Sequence, residues 1–69
     1  MSKEYDFFLY LLEKYAEYKG LRTEILLKKL DETGISEYIL EMYPMYHTER
    51  IENAFADIDR KLEESNYGF

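Results

Sequence analysis

The single histidine, His47, lies between Tyr46 and Thr48 and is the first residue to weigh for chemistry. As a general base it needs an orienting partner and a nucleophile within hydrogen-bond reach. A fold could bring Asp57 and Asp59 to it, but no spacing in the chain requires that meeting. A histidine just outside a helix N-terminus also has its cationic form disfavoured by the helix dipole. His47 therefore reads as a local hydrogen bond or packing contact that fixes the start of the last helix, with a partner contact as the alternative.

The acids offer little more. Asp57 and Asp59 are two apart on a helix and point in different directions, and the adjacent pair Glu63 and Glu64 does the same. Glu13 and Glu17 share a face at i and i+4, as do Glu49 and Glu52 at i and i+3. Either pair is a weak hard-cation site at most, and a solvated face explains both. For Glu49 and Glu52 the dipole of a helix first turn is reason enough. With no cysteine there is no disulfide and no zinc–thiolate site. No catalytic residue, metal ligand, cofactor or small-molecule ligand is expected from this pattern.

The least ordinary stretch is Tyr38…Tyr43-Pro44-Met45-Tyr46-His47. Tyr, Met and His are adaptable interface formers when exposed. Tyr43, Met45, Tyr46 and His47 are accordingly the candidate partner-binding residues. The competing reading is that the rings close one end of a small core with their hydroxyls at water.

The elements that must position these residues are helices. Ser2 caps a first helix over about 3–19. Its polar residues Asp6, Glu13, Lys14 and Glu17 fall on one narrow stripe at 100° per residue. Tyr5, Phe7, Phe8, Leu9, Leu11, Leu12, Tyr15, Ala16 and Tyr18 fill most of the rest, so this helix is expected to touch neighbours on two sides. Gly20 ends it in the left-handed region, with Leu21 folding back. Thr23 caps a second helix over about 24–33, with Ile25, Leu26, Leu27 and Leu30 buried and a Glu24–Lys28 pair. Gly34 ends that one.

Ser36 caps a third helix over 37–43, burying Tyr38 or Ile39, Leu40, and Met42 or Tyr43. Pro44 stops it and pushes Tyr43 out of helical angles. Thr48 caps a fourth over 49–64, where Ile51, Ala54, Phe55, Ile58 and Leu62 make one clean stripe and Asp57 pairs with Lys61. Asn66 to Phe69 form a short fraying tail. No strand pattern competes. The expected fold is all-α: residues 1–69 as a single helical domain, a compact bundle of four short helices with consecutive helices adjacent.

The second and third helices around Gly34 have the order of a helix-turn-helix, in Leu30-Asp31-Glu32-Thr33-Gly34-Ile35-Ser36. A recognition helix must present donors to bases and phosphates, and this one carries Glu37 and Glu41 with no Lys or Arg. Fifteen acids against nine bases give a net charge of −6, which counts against nucleic acid and against anionic membrane surfaces. The longest apolar run, Phe7 to Leu12, is six residues where a membrane span needs about 20. Glu4 and Asp6 sit where a signal peptide would be basic. The cytoplasm is the expected location.

From Asp6 to Leu62 the chain resembles a family of short bacterial proteins known only as a domain of unknown function. The resemblance rests on Tyr5-Asp6-Phe7-Phe8-Leu9-Tyr10-Leu11-Leu12, the Gly34 turn and Tyr38-Ile39. It rests most on Tyr43…Tyr46-His47-Thr48 leading into Glu52-Asn53-Ala54-Phe55-Ala56-Asp57-Ile58-Asp59. Such proteins are often encoded beside ADP-ribosyltransferase-like proteins, so the resemblance implies an accessory or antitoxin-like role through protein binding. It supplies no catalytic residue; Tyr43, His47 and Thr48 match recurring positions only.

The expectation is a non-catalytic protein–protein interaction module that binds a partner protein or a second copy as a homodimer. A helix-turn-helix regulator is the alternative. The surfaces to inspect first are the excess apolar arc of the first helix and the loop 43–47.

Overall fold

A computed structural model describes residues 2–65, and among them every regular element is a helix. The helices are α1 (Lys3–Lys19), α2 (Thr23–Thr33), α3 (Ile35–Glu41), α4 (Tyr43–Tyr46) and α5 (Ile51–Glu64). The all-α bundle is as expected, with one more helix than the sequence suggests. The tail at residues 66–69 lies outside the described residues.

Ser2 caps α1: its Oγ accepts from the Tyr5 amide at 3.2 Å. At the other end Gly20 has φ +68°, and two bonds close the turn, Leu21 N–H to Ala16 O at 2.8 Å and Gly20 N–H to Glu17 O at 3.2 Å. This paired closure requires a residue that enters the left-handed region without a Cβ penalty. Gly34, at φ +78°, performs the same service between α2 and α3, and α3 starts at the next residue.

The other predicted caps are corrected. Thr23 is the first helical residue of α2, preceded by an extended Arg22 that makes no side-chain cap. Ser36 is buried inside α3 and donates to Asp31 Oδ1 at 2.6 Å, so its hydroxyl ties α3 back to α2. Thr48 donates to Met45 O at 2.9 Å, completing the end of α4, and α5 begins later, at Ile51. Glu49 therefore precedes α5 and accepts from Asn53 Nδ2 at 3.1 Å. For Ser36 and Thr48 the hydroxyl found a carboxylate or a carbonyl in place of the amides ahead of it, which is the local competition these side chains carry.

The extra helix has a clear cause. Met42, at φ −85° and ψ 2°, breaks α3 after Glu41, and Pro44 then occupies the first turn of α4. Proline is tolerated there because the amides of a first turn have no intrahelical acceptor. Pro44 thus helps start a turn of helix, and Tyr43 is its first helical residue instead of leaving helical geometry.

The core draws on every helix: Phe8, Leu11, Leu12, Tyr15 and Ala16 from α1; Leu26 and Leu30 from α2; Ile35 and Ile39 from α3; Tyr46 from α4; Ala54, Ile58 and Leu62 from α5. Ile25, expected inside, is exposed. Helix α1 packs against α2, α3 and α4, and its aromatic rings also meet α5 through Phe55. Contact on two sides is what its wide apolar arc demands. The radius of gyration, 11.0 Å, matches the about 11 Å expected of one compact body of this size.

Candidate functional site

Among the four residues singled out in the sequence, the structure separates one from the rest. Tyr46 is only 4 % exposed and belongs to the core, so it is no surface contact. Tyr43 is half-buried, its ring edge-on to Phe7 at 5.6 Å. His47 lies flat on Tyr43, with centroids 4.4 Å apart and planes at 9°, and its Nδ1 is 2.6 Å from the Tyr43 carbonyl. The contact is local, as expected, but it closes the end of α4 one helical turn from its partner, at an exposed position, and does not fix the start of the last helix, which begins only at Ile51. Met45 stands out at 52 % exposure. The surface set is therefore Met45 and His47, with Tyr43 partly covered beneath.

Tyr46 instead joins a polar knot that no sequence spacing announces. Its hydroxyl and that of Tyr38 both donate to Asp57 Oδ2, the latter at 2.7 Å, while Arg60 donates to Asp57 Oδ1. One carboxylate thereby ties α3, α4 and α5 together. Burial acts to raise the Asp57 carboxyl, but the hydrogen bonds from Tyr46, Tyr38 and Arg60 outweigh it and hold the group below its ordinary value. Burial, and then the bond to Asp57, push the Tyr46 phenol well above its usual range. The bond to Asp57, with burial behind it, raises Tyr38 as well.

A second knot repeats the theme two residues further along α5. Tyr15 is 1 % exposed; its hydroxyl donates to Asp59 Oδ1, which also pairs with Lys19 Nζ at 3.0 Å. Burial, then the hydrogen bond to Asp59, raise the Tyr15 phenol far above its normal value. Asp57 and Asp59 do point in different directions, as their spacing requires, and each collects the buried hydroxyls on its own side. The expected Asp57–Lys61 pair is absent from this arrangement: Arg60 takes Asp57, and Lys61 Nζ sits 4.3 Å above the Tyr38 ring. The planar guanidinium satisfies Asp57 and also reaches Glu64 at 3.2 Å, which frees the lysine for the ring face.

Chemically, these carboxylates are acceptors already in use. Asp57 has donors on both oxygens, and every buried side-chain nitrogen or oxygen among the described residues has a hydrogen-bond partner. No group of three or more His, Asp and Glu side chains among the described residues could hold a metal ion.

What remains open is a surface. The outer side of α1 leaves Tyr5 at 55 %, Leu9 at 44 % and Tyr10 at 51 % exposure. Asp6, Glu13 and Glu17 are exposed beside them. Tyr18 is also exposed but stacks on Phe55 at 4.9 Å, so it has a partner within the chain. Glu37 and Glu41 are the exposed acids of the seven-residue α3, which would be the recognition helix of a helix-turn-helix. Among the described residues no helix is long and apolar enough to cross a membrane.

Residues 6–65 match the family described as "Protein of unknown function (DUF3791)", and the chain belongs to it. No curated protein and no solved structure matches the chain.

Proposed function

Taking membership of that family as the premise, we propose that this chain is a non-catalytic module that works by binding another protein. The observation that carries the reading is the set of large apolar side chains, Tyr5, Leu9 and Tyr10, left outside a core that closes without them. Large apolar side chains grouped on one exposed helix face are the kind of surface that marks a protein–protein contact. Met45 and the His47–Tyr43 stack supply a second exposed group at the α4 turn.

The accessory or antitoxin-like role belongs to this reading. It is supported by the resemblance to short bacterial proteins encoded beside ADP-ribosyltransferase-like proteins. A cytoplasmic setting goes with it. Self-association as a homodimer is the variant in which the partner is a second copy. The absence of enzymatic activity is proposed on the donor-saturated state of Asp57 and the contacts of His47 with its own turn.

The test is co-purification of the tagged chain with the product of its adjacent gene, alongside light scattering of the chain alone. A stable complex or a defined dimer is expected. A strict monomer that retains no such product overturns the reading. The helix-turn-helix alternative predicts a mobility shift of duplex DNA at low salt, where charge contacts are strongest. With Glu37 and Glu41 on α3, no shift is expected.

A further inference from the structure

We infer that the outer face of the first four turns of α1 docks a basic amphipathic helix of a partner protein. Aliphatic residues of that helix seat on Tyr5, Leu9 and Tyr10, and its flanking Lys or Arg side chains meet Asp6, Glu13 and Glu17. The inference rests on the interaction reading above and gives the partner its chemistry.

Geometry makes the face continuous. At 100° per residue, Tyr5, Leu9, Glu13, Asp6 and Tyr10 fall in one arc of about 140°. All five are exposed, whereas Leu12, Phe8 and Leu11, running from the Tyr5 edge of the arc round to the far side, are buried. No basic residue between positions 5 and 13 interrupts the arc. Lys3 and Lys14 bound it on one edge, the latter with Nζ 5.9 Å from the Tyr10 ring. Tyr5, Leu9 and Glu13 form an i, i+4 row, the ridge that packs into the groove of another helix.

Charge selects the occupant. The carboxylates stand among the apolar groups, so a partner that covers Leu9 must approach Asp6 and Glu13 as well. Burying a carboxylate without a counter-charge is strongly disfavoured. A second copy of this chain would bring the same acids face to face in a two-fold contact, between bodies that each carry −6. An anionic membrane surface meets the same repulsion. A helix with an aliphatic stripe and basic flanks satisfies both halves of the surface, and charge attraction also speeds its encounter.

The experiment titrates the isotope-labelled full chain with synthetic helices of about 18 residues, long enough to be helical. One carries a leucine stripe with lysine flanks, one the same stripe with glutamate flanks, and one replaces leucine by serine and keeps the lysines. The Leu/Lys peptide is expected to bind alone and to shift the amides of residues 5–17. Leu9→Ser and Tyr10→Ser should each weaken it by at least about tenfold. Asp6→Lys with Glu13→Lys should do the same and should admit the Leu/Glu peptide, a gain that misfolding cannot mimic. Met45→Ser should leave the affinity unchanged.

Equal binding of the Leu/Glu or Ser/Lys peptide overturns the inference, as do shifts centred on residues 43–47 or no binding at all. A dimer that Leu9→Ser dissociates also overturns it, by making the second copy the occupant, yet leaves the interaction reading standing. That broader reading fails separately, on a monomer that co-purifies with nothing from its own locus.

Discussion

Tyrosines are used in opposite ways on the two sides of this molecule. Along the seam between α1, α3, α4 and α5, the hydroxyls of Tyr15, Tyr38 and Tyr46 reach inward to Asp57 and Asp59. On the outer face of α1, Tyr5 and Tyr10 point to solvent beside an exposed Leu9. The seam converts aromatic area and polar tips into cohesion between helices. The outer face uses the same residue type where it adds nothing to closure of the core. Residue type therefore says little about role here; what each ring can reach decides it.

The comparison breaks most readily at Tyr46. Tyr46→Ala removes a core ring and one of the phenols on Asp57, and should cost about 3–5 kcal/mol, enough to unfold much of so small a domain. Tyr10→Ala should stay within about 0.5 kcal/mol of wild type. Urea unfolding followed by circular dichroism reads both. Comparable losses at the two sites would mean that the outer face also holds the fold together.

Within the seam the two carboxylates should rank. Asp57→Ala strands two phenols, while the exposed Arg60 keeps Glu64; Asp59→Ala strands the Tyr15 hydroxyl and releases the exposed Lys19. About 2–3 kcal/mol is expected for the first and about 1–2 kcal/mol for the second, since each buried hydroxyl left without an acceptor carries its own desolvation penalty. The reverse order would move the centre of the seam from α3–α4–α5 to α1–α5.

How much of this was legible beforehand follows the range of each interaction. The helices at 3–19 and the glycine stops at Gly20 and Gly34 are local events, decided within a few residues, and they read directly. So did the apolar excess of the first helix, whose surplus surfaced as Leu9 and Tyr5. Ser36 and Thr48 misled because a hydroxyl next to a helix start has several acceptors within reach, and only the fold picks among them. The two knots could not be read at all. Tyr15 and Asp59 are 44 positions apart, Tyr38 and Asp57 are 19 apart, and no periodicity links a phenol on one helix to a carboxylate on another. Tyr46 illustrates the loss: it looked like an interface residue because its neighbours are, yet the single turn around Pro44 rotates it inward.

Titration reads the tyrosines of the seam without any mutation. The phenols of Tyr15, Tyr46 and Tyr38 are raised in the folded state, so they favour folding while protonated. That contribution is complete below the unfolded value of about 10 and disappears as pH rises through the folded values. Asp57 has the opposite sign: lowered in the fold, it stabilises above the unfolded carboxyl value of about 4 and ceases to as pH falls through the folded one. Ultraviolet titration should show a tyrosine fraction that stays neutral past pH about 10 and ionises only as helicity is lost. Ionisation of all the tyrosines in one step with helicity intact would contradict the seam. Asp57→Asn should flatten the acid limb of the stability curve.

The smallest effect tests whether even the cations obey the division. Lys61 Nζ lies 4.3 Å from the Tyr38 ring at the rim of the seam, and Lys14 Nζ lies 5.9 Å from Tyr10 on the outer face. Lys61 is half-buried and Lys14 exposed, so water screens the second pair and much less of the first. A double-mutant cycle between Lys61→Met and Tyr38→Leu should give a coupling of about 1 kcal/mol, because the methionine keeps most of the apolar stem and the cycle cancels the lost hydroxyl bond. The cycle between Lys14→Met and Tyr10→Leu should be additive to within about 0.3–0.5 kcal/mol. A coupling at Lys14 as large as that at Lys61 would show Tyr10 already engaged by its own chain, and would weaken the case that its exposed face is held for a partner.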